Sequence, residues 1–189
     1  MKVAVLCEFS GIVRDAFRNQ GHEAISCDLL PTQSPGPHVQ GDCFNYDWSN
    51  YDLLICHPPC TYLCNSGVRW LIDNPTRKNS MIEAAIFFKK LLEYNVPRIC
   101  IENPIPHHYA LEIIGIKYTQ IVQPWQFGHG ETKATCLWLK GLPKLTPTNV
   151  VNGREPKVHM TPPSKDRWKI RSLTYTGIAE AMATQWSNL

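Results

Sequence analysis

The sequence predicts an α/β protein with a mostly parallel sheet flanked by helices, in a single domain that spans residues 1–189. Short apolar runs typical of buried strands alternate with amphipathic segments at helical spacing, which is the pattern of β–α–β units. The main apolar runs end in polar or Pro-containing residues, where a parallel sheet places its ligand site. With 43% hydrophobic and 19% charged residues, a chain of 189 residues has enough apolar material for one core.

The N-terminal elements are bounded by Gly and Pro, which interrupt both strands and helices. They are, in chain order, a strand at 3–7, a helix at 12–20, a strand at 24–27 and a Pro-rich loop at 31–37. The first strand leads into Phe9-Ser10-Gly11 and the second ends at Asp28. We therefore expect these residues to meet at one edge of the sheet.

The remaining elements continue the alternation. They are a strand at 51–56, a helix at 79–94, strands at 98–101, 121–123 and 134–139, and a closing helix at 173–186. His57-Pro58-Pro59 ends the first of these strands, because Pro cannot continue a strand ladder. Glu102-Asn103-Pro104 ends the second. The strand at 134–139 is expected at an antiparallel edge.

The basic charge is concentrated near the C-terminus. Residues 133–171 hold nine of the 19 Lys and Arg but only two of the 16 Asp and Glu. Residues 141–172 contain five of the 15 Pro, so we expect a basic, irregular excursion there. Such a segment is consistent with a phosphate-bearing partner or, equally, with a solvated basic surface.

The cellular compartment is predicted from the apolar runs and the cysteines. No stretch approaches the ~20 apolar residues that span a bilayer, and the first run meets Glu8 too early for a signal-peptide core. Most of the eight Cys lie in apolar runs, which favours reduced, buried thiols over disulfides. We therefore expect a cytoplasmic protein with no membrane partner.

One thiol stands apart from the buried ones. Residues 58–67 read Pro-Pro-Cys-Thr-Tyr-Leu-Cys-Asn-Ser-Gly, which places Cys60 in a Pro-rich loop directly after a strand. That setting suits a nucleophile, although a packing cysteine in a turn has the same appearance. A metal site at Cys56, His57, Cys60 and Cys64 is disfavoured because no second ligand pair follows at suitable spacing, and we expect no metal.

A carboxylate lies at the end of a neighbouring strand. Glu102 precedes Asn103 and Pro104 at the end of the strand at 98–101. A carboxylate there is placed to hold or protonate a ring nitrogen, although a Glu that anchors a loop would look the same in sequence.

Taken together, these motifs resemble the cytosine carbon-5 methyltransferases. That family has a Pro-Cys-Gln-x-Phe-Ser-x-x-Gly nucleophile loop, and residues 59–67 reproduce its spacing from Pro to Gly. Its Phe-x-Gly loop resembles Phe9-Ser10-Gly11, its Gly-Asp resembles Gly41-Asp42, and its Glu-Asn-Val resembles Glu102-Asn103-Pro104. The order holds over residues 3–140, and the whole chain is similar to small phage-type proteins of this group.

The resemblance implies a Rossmann-like S-adenosylmethionine-dependent methyltransferase fold, with S-adenosylmethionine as cofactor. Cys60 would be the nucleophile and Glu102 the group that holds or protonates the base. The cofactor-binding residues it implies are Phe9, Ser10, Gly11, Asp28, Asp42 and Pro58. The substrate-binding residues it implies are Asn103, Lys133 and Thr135. The acceptor would be DNA or a free cytidine nucleotide, and a phage-encoded protein would act in the host cytoplasm.

The chain also departs from the family pattern. Val13 replaces the second glycine of the cofactor loop, and Thr135 replaces the arginine that would hold the carbonyl oxygen of the base. The target-recognition domain, on the order of 100 residues in the family, is replaced by residues 141–172, so a separate recognition partner is one expectation. Two alternatives stay open: methylation of an exocyclic amino group through His57-Pro58-Pro59, and a non-catalytic protein that binds nucleic acid or nucleotides.

Overall fold

Seven strands form one mixed sheet in the computed structural model, which describes residues 1–71, 74–187 and 189. The strands are β1 (Lys2–Leu6), β2 (Glu23–Asp28), β3 (His38–Gln40), β4 (Leu53–Cys56), β5 (Arg98–Pro104), β6 (Gln120–Val122) and β7 (Thr135–Lys140). The α-helices within these residues are α1 (Ile12–Asn19), α2 (Pro75–Leu92), α3 (His108–Ile114), α4 (Lys157–Met160), α5 (Arg167–Ser172) and α6 (Thr176–Trp186). Three-residue or longer 3₁₀ segments lie at Cys43–Asn45, Asn65–Leu71 and Pro124–Gln126.

The sheet order is β3-β2-β1-β4-β5-β7-β6. Strands β1 to β5 are parallel to one another, whereas β7 is antiparallel to both β5 and β6. The chain builds outward from β1 through β2 to β3 and then returns to place β4 on the other side of β1. This reversal creates a switch point between β1 and β4. Open α/β sheets in general bind their ligands at such a point, outside the carboxyl ends of the strands.

The predicted α/β class with a mostly parallel sheet is confirmed, with one correction at β7. Residues 134–139 were expected at an antiparallel edge. The strand is antiparallel, but it lies between β5 and β6, and β6 forms the edge. The physical reason is burial, because Cys136 and Leu137 are both fully buried on opposite faces of the strand.

Alternation along β1 divides the core into two layers. Ala4 and Leu6 pack in the layer that includes Phe88 of α2 and Trp138 of β7. Val3 and Val5 face the opposite layer, which α1 and α6 cover with residues such as Phe17, Met182 and Trp186. Helices on both faces thus hold the sheet rigid and leave its carboxyl edge open to ligands.

Several boundaries differ from the sequence-based expectations. α2 begins at Pro75, because Asn74 accepts a hydrogen bond from the backbone N–H of Arg77 at 3.0 Å and caps the helix. α3 and β3 were not expected. The excursion at 141–172 includes the short helices α4 and α5, and the closing helix begins at Thr176.

The structure also gives the state of the cysteines and the character of the helices. All eight cysteines are free thiols, and five of them are buried. Within residues 1–71, 74–187 and 189, no helix is both long and apolar enough to cross a membrane.

Candidate active site

A cavity of about 110 Å³ lies at the carboxyl ends of β1, β4 and β5, beside the switch point. Seven of the eleven residues that the sequence singled out line it: Phe9, Ser10, Pro58, Cys60, Glu102, Asn103 and Lys133. The structure adds Cys7, Glu8, Pro104 and residues 171–174, together with His57 and Pro59, for which the sequence indicated a role only in the alternative methylation of an amino group. Gly11, Asp28, Asp42 and Thr135 do not line the cavity.

Cys60 is held on a hydrogen-bonded turn. Its carbonyl oxygen accepts from the backbone N–H of Leu63 at 3.0 Å and of Cys64 at 3.2 Å. The Leu63 side chain is fully buried, and its carbonyl accepts from the backbone N–H of His107 at 3.0 Å. The His107 ring also contacts the carbonyl oxygen of Tyr62 at 3.0 Å. The loop after β5 therefore supports the thiol-bearing loop after β4, which gives Cys60 a fixed position.

The Cys60 thiol interacts with a second thiol. A hydrogen bond between the Cys60 and Cys64 side chains raises the pKa of Cys60 and lowers that of Cys64 to about 5. The Ser66 hydroxyl, 3.1 Å from the Cys64 sulfur, stabilises the Cys64 thiolate further. The two thiols are thus coupled through one proton: the lowered pKa of Cys64 favours its thiolate, and transfer of the Cys60 proton to Cys64 would place the thiolate on Cys60 instead.

Glu102 forms a buried ion pair with His57. The distance from His57 Nδ1 to Glu102 Oε2 is 3.2 Å, and the Thr174 hydroxyl donates to the same oxygen at 3.4 Å. Burial alone would raise the pKa of Glu102, but the hydrogen bond and charge of His57 outweigh burial and lower it. His57 therefore favours the ionised form of Glu102.

Glu8 occupies the N-terminus of α1. Its carboxylate accepts from the backbone N–H of Val13 at 2.7 Å and of Arg14 at 3.3 Å, and the Ser10 hydroxyl donates to it at 3.2 Å. Burial raises the pKa of Glu8 in spite of these donors and of the His57 charge. This carboxylate ties the loop after β1 to α1. The only sequence signal for it was an acidic residue just before a helix start.

Gly11 shapes the loop without reaching the cavity. Its φ of 76° lies in the left-handed region, and a Cβ there would collide with the Arg14 guanidinium. Arg14 is fully buried and donates to the carbonyl of Ser34 at 3.0 Å and to the hydroxyl of Ser26 at 3.2 Å. Arg14 thus fixes the Pro-rich loop after β2 against α1.

Asp28 and Asp42 lie at the same sheet edge as the cavity but outside it. Asp28 ends β2, and its carboxylate accepts from the backbone N–H of Leu30 at 2.9 Å. Burial raises the pKa of Asp28. Asp42 is exposed and caps the Cys43–Asn45 segment by accepting from Phe44 N–H at 3.0 Å.

The predicted substrate-binding residues separate into two groups. Asn103 is 2% exposed; its Nδ2 donates to the Pro58 carbonyl at 3.2 Å, and its Oδ1 has no hydrogen-bond partner among the described residues. Lys133 lines the cavity, and its Nζ donates to the Leu173 carbonyl at 2.9 Å. Thr135 instead lies at the buried start of β7, where its hydroxyl donates to the Lys133 carbonyl at 3.1 Å.

The basic excursion covers the site. The Trp168 ring of α5 lies 6.0 Å from the Phe9 ring and is 52% exposed, and residues 171–174 close one side of the cavity. The sequence indicated a basic segment but not its return to the strand ends. Within the described ranges, no group of three or more His, Cys, Asp or Glu side chains is arranged to hold a metal ion.

The cavity has the size of one heterocyclic ring. A cavity of about 150 Å³ in a protein core binds benzene, so the 110 Å³ beside Cys60 and Glu102 matches a ring of that class. A nucleoside-sized ligand needs at least about 300 Å³, so most of such a ligand would extend beyond the cavity. A thiol and a carboxylate–imidazole pair around one ring provide a nucleophile and a proton-holding group.

Three solved structures are similar to this chain at low identity. They are a protein described as a DNA modification methyltransferase encoded within an E. coli prophage (13% identity, TM-score 0.49), the Entamoeba histolytica methyltransferase EhMeth (16%, 0.47) and the S. pombe Dnmt2 methyltransferase (15%, 0.49). The matches cover 80%, 80% and 76% of this chain and 52%, 57% and 51% of those chains, so this chain spans about half their length. Neither a comparison with protein-family models nor one with curated proteins found a match.

Proposed function

We propose that this protein transfers the methyl group of S-adenosylmethionine to carbon 5 of cytosine, in DNA or in a free cytidine nucleotide. The observation that carries the proposal is that Cys60 and Glu102, from different strand ends, line one ring-sized cavity of about 110 Å³. Carbon 5 of cytosine is a weak nucleophile until a group adds to carbon 6. A thiolate below the ring and a proton-holding group at ring N3 supply that activation.

In the proposed reaction, the Cys60 thiolate adds to carbon 6, and the electron pair displaced toward N3 is neutralised by a proton from the Glu102 site. Carbon 5 then accepts the methyl group. Loss of the carbon-5 proton to water and departure of the Cys60 thiolate restore the aromatic ring. The rigid turn at Cys60 keeps the sulfur in place through both steps.

S-adenosylmethionine supplies the methyl group as an electrophilic sulfonium. Phe9 and Ser10 line the cavity and would bound the methionine end of the cofactor. Asp28, at the carboxyl end of β2, would accept hydrogen bonds from the ribose hydroxyls, as acidic residues do at this place in nucleotide-binding sheets. Asp42 follows β3 on the same edge and would face the adenine. Gly11 contributes by allowing the turn.

Buried polar atoms in the cavity are matched to the base. Asn103 Oδ1 has no hydrogen-bond partner among the described residues, and it would accept from the amino group that distinguishes cytosine from uracil. Thr135 does not reach the cavity. Lys133 does, and its charge acts on Cys60, His57 and Glu102. We assign the carbonyl oxygen of the base, or a nearby phosphate, to Lys133.

The choice of acceptor rests on the basic charge near the C-terminus and on the short length of the excursion at 141–172. Residues 133–171 carry nine Lys and Arg against two acids, which favours a polyphosphate backbone. Reading a duplex sequence requires side chains in a groove, and the excursion at 141–172 offers little for that purpose. A base in a duplex must also leave the stack, a cost that a single strand or a nucleotide avoids.

The test is to incubate the protein with S-adenosylmethionine and, separately, duplex DNA, single-stranded DNA, RNA and dCMP, and to identify methylated nucleosides by mass spectrometry. We expect 5-methylcytosine, and none with Cys60→Ser. Methylation of the exocyclic amino group would favour a different methyltransferase chemistry. Nucleic-acid binding without any methylated product would indicate a binding protein.

A further inference from the structure

His57 and Glu102 are paired by the register of the sheet. Strands β4 and β5 are parallel with Cys56 opposite Ile101, so the next residue on each strand, His57 and Glu102, are neighbours. The backbone N–H of His57 donates to the Leu6 carbonyl at 2.9 Å, which fixes it to β1 as well. The pair is thus held by three central strands, with side chains only 13% and 10% exposed.

The opposite end of the His57 ring has no protein partner. His57 lines the cavity, and its Nε2 atom is buried and has no hydrogen-bond partner among the described residues. A buried ring nitrogen left unsatisfied costs about 1–3 kcal/mol, so its retention needs a reason. One face of His57 therefore meets Glu102, and the other is available to a ligand.

The charges around His57 favour the imidazolium. Among the described residues, the charged groups that act on the ring are Glu8, Asp28, Glu102 and Lys133, and Arg171 lines the same cavity. Burial by itself would lower the pKa of His57, but the hydrogen bond and charge of Glu102, with the charge of Glu8, raise it above its ordinary value. His57 and Glu102 therefore favour each other's charged forms, an imidazolium beside a carboxylate.

An ionised Glu102 has no proton to give. In the proposed methyl transfer, which this inference extends, ring N3 must gain a proton as the thiolate adds. We propose that His57 is a positioning residue that stores this proton and delivers it through Glu102. The proton on Nδ1 crosses the 3.2 Å contact to Oε2 as Glu102 protonates N3. His57 would then set the acidity of the site. The sequence pattern had linked this residue to a different reaction, the methylation of an exocyclic amino group.

The step balances without a further reactant. Before addition, the Cys60 proton has passed to Cys64, so the negative charges are on Cys60 and Glu102 and the positive charge is on His57. After addition, a carbon–sulfur bond has formed, N3 carries the proton, and His57 is neutral while Glu102 stays ionised. When the thiolate leaves, its bond pair returns to sulfur and the N3 proton returns through Glu102 to His57. The carbon-5 proton is the only one released.

The first test needs no substrate. NMR of protein with isotope-labelled histidine should show His57 titrating above the ordinary value of about 6.5, and Glu102→Gln should lower that pKa. The other six histidines serve as internal references. A His57 that titrates at or below the ordinary value in the wild type, or that ignores Glu102→Gln, overturns the inference.

The second test is the pH dependence of turnover. In the wild type, kcat should fall as pH rises through the His57 pKa, because the stored proton is then lost. His57→Asn should lower kcat by about 10²-fold, change KM little and remove this basic limb. His108→Asn, at an exposed position, is the matched control. If His57→Asn does not fold, His57→Ala with added imidazole replaces it, and partial rescue is expected.

The outcomes separate the two proposals. A wild type that forms 5-methylcytosine while His57→Asn keeps its kcat and its basic limb overturns the proton store and leaves the methyl transfer standing. A wild type that methylates no acceptor overturns the proposed function and, with it, the use of the stored proton.

Discussion

The shared proton of Cys60 and Cys64 has a direct chemical consequence: alkylation of the pair should depend weakly on pH. With the pKa of Cys64 lowered to about 5 by the Cys60 thiol, the pair is already mostly ionised at mildly acidic pH. Between about pH 5.5 and 7.5 its thiolate fraction rises only about 1.3-fold. An ordinary thiol with a pKa of about 8.5 rises about 90-fold over the same interval.

The assay is iodoacetamide alkylation followed by peptide mass spectrometry. The other six cysteines are buried or half-buried and give a slow background. Cys60→Ala removes the S–H donor, so the pKa of Cys64 should rise and alkylation at about pH 5.5 should slow roughly tenfold or more. Ser66→Ala removes a lesser donor and should slow it less. A wild-type rate that climbs about tenfold per pH unit would refute the shared proton.

Three further predictions concern the surroundings of the site. Asp28→Ala should weaken S-adenosylmethionine binding by about 5- to 150-fold in calorimetry, because hydrogen bonds to the ribose are lost; unchanged affinity would remove Asp28 from the site. Arg14→Lys should lower the free energy of unfolding by about 3 kcal/mol, because an ammonium cannot reach all the oxygens that the buried guanidinium contacts. The Tm should then fall by about 6–12 °C, and a fall of less than about 2 °C would contradict this reasoning. The last of these predictions concerns four basic residues that are neutralised together: Lys165, Arg167, Lys169 and Arg171. The change should flatten the salt dependence of nucleic-acid binding by up to about 0.9 per lost duplex phosphate contact and leave sequence preference unchanged. A wild-type slope near zero would favour a mononucleotide acceptor.

Local patterns predicted the central strands well because those strands are apolar and bounded by Pro, Gly or polar residues. Local patterns failed where contacts with distant parts of the chain determine the secondary structure. β3 has only three residues, and its strand conformation comes from pairing with β2. α3 follows a loop with two prolines, and its signals, a capping His107 and a left-handed Gly115 at its end, are short and weak.

A site residue could be predicted from the sequence where a single local motif marks the end of a single strand. Cys60 and Glu102 were found in this way, because parallel strands bring their carboxyl ends together. His57 was not given its role, since its partner lies on a different strand and only the register of β4 and β5 joins them. Residues 171–174 were missed for the same reason: no local pattern indicates that a distant basic segment folds back over the cavity.

The central claim is that Cys60 adds to a cytosine ring, and trapping tests it most directly. A cytosine acceptor with fluorine at carbon 5 cannot lose that substituent as a proton, so the methylated adduct should remain bound to the thiol. With S-adenosylmethionine and a 5-fluorocytosine nucleotide or single strand, we predict a covalent adduct on the peptide that contains Cys60, and none with Cys60→Ser. No adduct in a wild type that forms 5-methylcytosine, or an adduct on Cys64 alone, would contradict the account.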